Sequence, residues 1–107
     1  MQHPWFVKKI VLPLFGQGKD LEVRSRNGYS RKIRVGDVLS INRELLREVA
    51  AIRIYPNLSA MILREDYKRI HPGAQSSDEL LILLRTLYPP SIEKLGIFVF
   101  ELKRVGI

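Results

Sequence analysis

Two closely spaced glycines, a lysine, and then a glutamate and an arginine at alternate positions place charged chemistry at the start of a strand. The run is Gly16-Gln17-Gly18-Lys19-Asp20-Leu21-Glu22-Val23-Arg24. Gly16 and Gly18 permit positive φ and let a ligand approach the backbone closely. A lysine at a cleft mouth can clamp a phosphate, and a desolvated one can act as base or nucleophile. In open solvent Lys19 is an ordinary strand-end residue. Glu22 and Arg24 fall on one strand face by the period of two. They form a polar cleft floor, with Arg24 on a phosphate or base edge and Glu22 accepting from an exocyclic amine. Alternatively they form a surface ion pair worth about 0–1 kcal/mol. The candidate catalytic residues are Lys19 and Glu22, and Arg24 joins them as a candidate ligand contact.

A second group follows at once. Arg24, Arg26, Arg31, Lys32 and Arg34 stand within residues 24–34 with no acid among them, and Tyr29 lies in their midst. Basic side chains pair with phosphates, and an exposed tyrosine stacks on a base. The competing reading is a solvated hairpin edge whose charge discourages strand pairing. The chain of 107 residues carries a net charge of +7. Residues 1–53 hold eleven Lys and Arg against five Asp and Glu, and residues 54–107 hold seven against six. This one-sided surplus points to a polyanionic partner, although basic solubility alone produces similar totals.

Other chemistries find little support. The chain has no cysteine, which excludes disulfides and thiolate metal ligands. His3 and His71 stand apart with no clustered ligand types, so no metal is expected. Thr86 is the only threonine and belongs to a helical run. No P-loop or dinucleotide fingerprint occurs, and no cofactor is expected. Gly36-Asp37 reads as a turn with a local aspartate-to-backbone bond. Tyr55 and Tyr88 each precede proline and read as packed rings with satisfied hydroxyls. Lys8 and Lys9 interrupt the N-terminal apolar stretch, so it does not read as a signal peptide. No apolar run reaches the roughly 18 residues of a membrane span, and a cytoplasmic location is expected.

The elements that must position these residues follow from periodicity and turn chemistry. Strands are predicted over 6–12, 20–26, 38–41, 48–55 and 96–105. The last is nearly continuous in apolar residues, which predicts a place inside the sheet. Pro13-Leu14-Phe15 suits a short helical turn, Asn27-Gly28 a turn, and 42–46 a short connection. Helices are predicted over 58–66, capped by Asn57 or Ser59, and over 78–87, capped by Ser76 or Ser77. Pro89-Pro90 ends the second. The order lacks a βαβ alternation, which disfavours a doubly wound sheet. One α+β domain spanning 1–107 is predicted, with a small, mostly antiparallel sheet or barrel.

The motif Gly16-x-Gly18-Lys19-x-x-Glu22-x-Arg24 resembles the signature of the ASCH (activating signal cointegrator homology) family. Gly36-Asp37, Tyr55-Pro56, Glu65, His71-Pro72-Gly73, the Glu79-Leu80-Leu81 helix and Tyr88-Pro89 before a last strand follow the same order. The resemblance covers nearly the whole chain. It implies a PUA-like β-barrel of five mostly antiparallel strands with two or three short helices. It also implies RNA binding in a cleft lined by Lys19, Glu22 and Arg24. Some members resemble small amidohydrolases of acylated cytidine, which use a lysine and a threonine on this strand and a remote glutamate. This chain keeps Lys19, carries Glu22 at the threonine position and places the remote position near Gly73.

Two functions are therefore expected. One is an RNA- or nucleotide-binding module using Lys19, Glu22, Arg24, Arg26, Tyr29, Arg31, Lys32 and Arg34. The other is a hydrolase of a modified nucleoside or of RNA, using Lys19 and Glu22. They separate on whether Lys19 and Glu22 meet in a closed pocket or splay on an open surface.

Overall fold

The computed structural model describes residues 1–106. Five strands form one sheet: β1 (Gln2–Trp5), β2 (Leu21–Ser25), β3 (Val38–Ile41), β4 (Leu45–Tyr55) and β5 (Ile97–Arg104). Their spatial order is β1-β3-β4-β5-β2. The β5 strand lies between β4 and β2, inside the sheet, as its apolar run predicts. The sheet is mixed, because β1 runs parallel to β3, whereas β3–β4, β4–β5 and β5–β2 are antiparallel. The barrel is also open. Strands β1 and β2 end the order without pairing to each other, leaving a curled half-barrel. The expectation of a mostly antiparallel closed barrel is corrected on both points. Pro4 contributes to the reason: a residue without an N–H fits an edge strand. A register shift between Val49 and Ala51 bends β4 and helps the sheet to curl.

The first strand lies earlier than periodicity predicts, at residues 2–5 instead of 6–12. Residues beyond Trp5 turn away, and the Asn42 side chain takes the place of a strand partner. Its carboxamide accepts from Val7 N at 2.9 Å and donates to Val7 O at 3.0 Å. The β3–β4 connection is also tighter than expected. Asn42 and Arg43 both take positive φ, and Glu44 N donates to Ile41 O at 2.9 Å, so β4 begins at Leu45. Strands β2 and β3 do not pair, so residues 24–34 are not a hairpin. They carry a single 3-10 turn over Ser30–Lys32.

Both faces of the sheet are covered. Phe98, Phe100 and Leu102 of β5 point inward to Trp5, Phe15 and Leu39. Ile97 and Val99 point outward, where Leu21 and Val23 of β2 meet Leu58, Leu80 and other helical residues. Each large apolar side chain buried there contributes about 1.5–3 kcal/mol. This double cover corrects the half-exposed reading of β2. Glu22 shares the inner side with Phe100, its cross-strand partner, and is only 6% exposed.

Four short helices follow β4: α1 (Leu58–Ile62), α2 (Tyr67–Ile70), α3 (Ser77–Leu87) and α4 (Pro90–Glu93). The caps are those the sequence suggests. Asn57 accepts from Ala60 N at 2.8 Å, and Ser76 accepts from Glu79 N at 3.1 Å. The single helix predicted over 58–66 divides in two. Glu65 turns inward to the Arg53 guanidinium, with contacts of 2.6 and 2.8 Å, and also accepts from the Tyr55 hydroxyl. Asp66 then caps a new helix by accepting from Lys68 N at 3.0 Å. Pro89-Pro90 ends α3 but also opens α4, where proline suits the first turn. Among the described residues, no helix is long and apolar enough to cross a membrane.

Candidate functional site

A 3-10 turn over Leu12–Gln17 carries Pro13 in its first turn, and Gly18 ends it with φ of 109°. That left-handed residue swings the chain into β2, and Lys19 N donates back to Leu14 O at 3.0 Å. The Lys19 side chain folds inward beneath this turn and is only 5% exposed. Its Nζ donates to Leu21 O at 2.7 Å and Ile70 O at 2.8 Å, and stands 3.2 Å from Glu22 Oε1. Three acceptors thus match the three donors of an ammonium. The end of α2 is held in place for this contact. Arg69 grips both Asp20 oxygens at 2.8 and 3.0 Å, and Asp20 N donates to Arg69 O at 3.0 Å.

Glu22 is the hub. Its Oε2 accepts from Trp5 Nε1 and from Arg24 Nη2, both at 2.9 Å. Burial alone would raise its carboxyl pKa. The charges of Lys19 and Arg24, with the hydrogen bonds from Trp5 and Arg24, outweigh burial and hold it below the ordinary value. Glu22 is therefore a carboxylate at neutral pH. Arg24 Nη2 also donates to Phe6 O at 2.7 Å, and its guanidinium lies 4.2 Å from the Trp5 ring centroid. The Arg24 side chain remains 28% exposed. Its Nε and Nη1 hydrogens have no acceptor among the described residues.

These groups line a cleft of about 540 Å³ between β2, α3 and the segment after β1. Its walls are mostly apolar, including Phe6, Val11, Leu83, Leu84 and Leu87, and Tyr88 and His71 also border it. A mostly apolar concavity with a few convergent polar groups is the usual form of a small-ligand site. Phe6 and Arg24 also border a second concavity of about 250 Å³, lined further by Trp5, Asn27 and Tyr29. Arg24 thus stands on the ridge between the two.

The sequence-predicted residues divide accordingly. Lys19, Glu22 and Arg24 are brought together, and Tyr29 joins Arg24 at the smaller concavity. Tyr29 is 44% exposed, with its hydroxyl 3.4 Å from Pro4 O. Arg26, Arg31, Lys32 and Arg34 line neither concavity. Arg26 lies 6.0 Å from the Phe98 ring centroid, and Arg34 Nη1 donates to Arg31 O at 2.8 Å. Both side-chain expectations for tyrosine hold, since the Tyr88 hydroxyl donates to Val23 O at 3.1 Å and that of Tyr55 to Glu65. Burial raises the Tyr88 pKa. Asp37 accepts from Arg34 N at 3.0 Å, as the turn reading requires, and also meets His3 Nε2 at 2.8 Å.

Sequence reasoning missed Trp5, Phe6, His71 and the exposed leucines of α3. Leu83 and Leu87 stand one helical turn apart, a spacing visible in the sequence, but only the structure shows that both are exposed. Among the described residues, no group of three or more His, Cys, Asp or Glu side chains could hold a metal ion.

Fold and site together define an α+β domain built on an open half-barrel, with a charged triad at its unpaired seam. The chain is similar in structure to the hypothetical protein PH0355, with a TM-score of 0.88 and 23% identity over 98% of this chain and all of that one. It is also similar to protein PF0455 from Pyrococcus furiosus, with a TM-score of 0.83 and 27% identity over the full length of both. No family model and no curated protein matches the chain.

Proposed function

We propose that the protein binds single-stranded RNA or a nucleotide, with a base in the larger cleft and the phosphate on Arg24. The observation that carries this reading is the arrangement of one apolar cleft, a carboxylate on its floor and a partly free arginine at its rim. The cleft volume of about 540 Å³ lies within the range of small-ligand sites. Arg24 has Nε and Nη1 hydrogens left to meet a phosphate. Beyond that ridge, the exposed ring of Tyr29 offers a surface for a second base. Arg31, Lys32 and Arg34 extend the positive field past it. The order of motifs along the chain supports an ASCH-type, PUA-like relationship, and cytoplasmic residence accords with the absence of cysteine.

The test is fluorescence anisotropy with a labelled single-stranded RNA. Leu83→Glu puts a carboxylate on the exposed cleft wall and should abolish binding. Leu95→Glu, equally exposed but outside the cleft, should bind like the parent. Equal binding by both variants rules out the cleft as the site.

A second reading is hydrolysis of a modified nucleoside, because Lys19 and Glu22 stand 3.2 Å apart in the cleft as an acid–base pair requires. Turnover of acylated nucleosides by the parent, lost in Glu22→Gln with binding retained, would establish it. The three acceptors around Lys19 Nζ favour the binding reading.

A further inference from the structure

We propose that the free edge of β2 is a donor-only edge, which recognises the carbonyl oxygen of a nucleobase through the backbone N–H of Val23. The inference rests on the cleft reading above and names the chemistry that the cleft selects.

Strand parity sets the geometry. Leu102 N donates to Asp20 O and Arg26 N donates to Gly96 O, so even-numbered residues of this strand face β5. The backbone groups of Leu21, Val23 and Ser25 therefore face away, at the edge of the sheet. All three carbonyls on that edge are capped by side chains. Leu21 O accepts from Lys19 Nζ at 2.7 Å, Val23 O from the Tyr88 hydroxyl at 3.1 Å, and Ser25 O from Ser30 Oγ at 2.7 Å. The three caps come from three separate segments of the chain. The Val23 N–H, by contrast, donates to nothing among the described residues, and Val23 borders the larger cleft.

Two consequences follow. The side chains of Lys19, Tyr88 and Ser30 stand at the carbonyls where an added strand would place its N–H groups, which disfavours strand addition at this edge. A ligand acceptor can dock, because a donor without a partner in a mostly apolar cleft gains a full hydrogen bond. Glu22 and Arg24 flank Val23 in the chain, so an acceptor at Val23 lies beside one anion and one cation. A planar ring that carries a carbonyl and a phosphate on its sugar meets both the edge and Arg24.

The test uses the intact chain, labelled with ¹⁵N, and two ligands of equal shape and charge. One is thymidine monophosphate. The other is the corresponding difluorotoluene deoxyribonucleotide, whose ring lacks carbonyl acceptors. Thymidine monophosphate should move the Val23 amide proton downfield and slow its exchange. The analogue should bind about tenfold more weakly, the loss of one hydrogen bond, and leave Val23 unmoved. Equal affinities, or saturation of the cleft with Val23 unmoved, overturn the donor edge while leaving the cleft as a binding site. If neither ligand perturbs any cleft resonance, the donor edge and the cleft reading fall together.

Discussion

Trp5 donates its indole N–H to Glu22 Oε2 at 2.9 Å, and so joins β1 to β2, the two ends of the sheet that share no backbone bond. The seam of the half-barrel is therefore closed by side chains. Glu22 supplies the acceptor there, and Arg24 covers the indole face. Phe100 packs edge-on to the same indole with centroids 5.5 Å apart, so the ring is held from both sides of the seam.

Trp5→Phe keeps an aromatic ring in that gap and removes the donor. Glu22 Oε2 then keeps only the Arg24 donor, and the loss of one hydrogen bond to a buried carboxylate should destabilise the fold by about 1.5–3 kcal/mol. The midpoint of urea unfolding measures it. An unchanged midpoint would mean that packing alone holds the seam.

Lys19→Met leaves Glu22 buried with Arg24 as its one remaining cationic partner. Breaking a buried pair from one side should cost about 3–5 kcal/mol. The double variant Lys19→Met, Glu22→Leu removes both charges and should recover much of that loss. Chemical denaturation of parent, single and double variants checks the order. A double variant less stable than the single one would sink the ion-pair account.

Acid should destabilise the protein in a defined window. Glu22 and Glu65 both have folded pKa values below their ordinary 4.5, despite burial that opposes this. For Glu22 the charges of Lys19 and Arg24 lead the lowering; for Glu65 the Arg53 hydrogen bond does so. Between the folded and unfolded pKa values the unfolded chain binds more protons, so stability rises with pH there. The contribution is fully present above the unfolded value and is lost as pH falls through the folded values. Melting temperatures should be level from neutral pH to about 5 and then decline. Glu22→Gln should show a shallower decline.

Affinity for single-stranded RNA should fall with salt, by a slope of roughly 0.7 per phosphate neutralised. Arg31, Lys32 and Arg34 line neither concavity, so their joint replacement by Ala should flatten the slope without changing which bases are preferred. Titrations at several salt concentrations measure both. A slope identical to the parent's would assign these residues to a solvated surface.

The sequence by itself determined the local structure wherever a short-range signal acts alone. Asn57 and Ser76, each one of two candidates, cap their helices, and the apolar run of β5 lies inside the sheet. The motif spacing brought Lys19, Glu22 and Arg24 forward as one group. The tertiary structure decided what surrounds them. Period two places Glu22 and Arg24 on one face but does not say that Trp5, in a strand seventeen residues earlier, covers it. Residues 6–12 have strand composition, yet Asn42 satisfies Val7 from thirty-five residues away and residues 2–5 form the strand instead. Burial of Lys19 depends on Ile70 O, fifty-one residues distant, and on the Arg69–Asp20 clamp that holds it. Such contacts join segments whose separation carries no local periodicity. Only the folded chain shows that the polar triad sits at the seam where the barrel stays open.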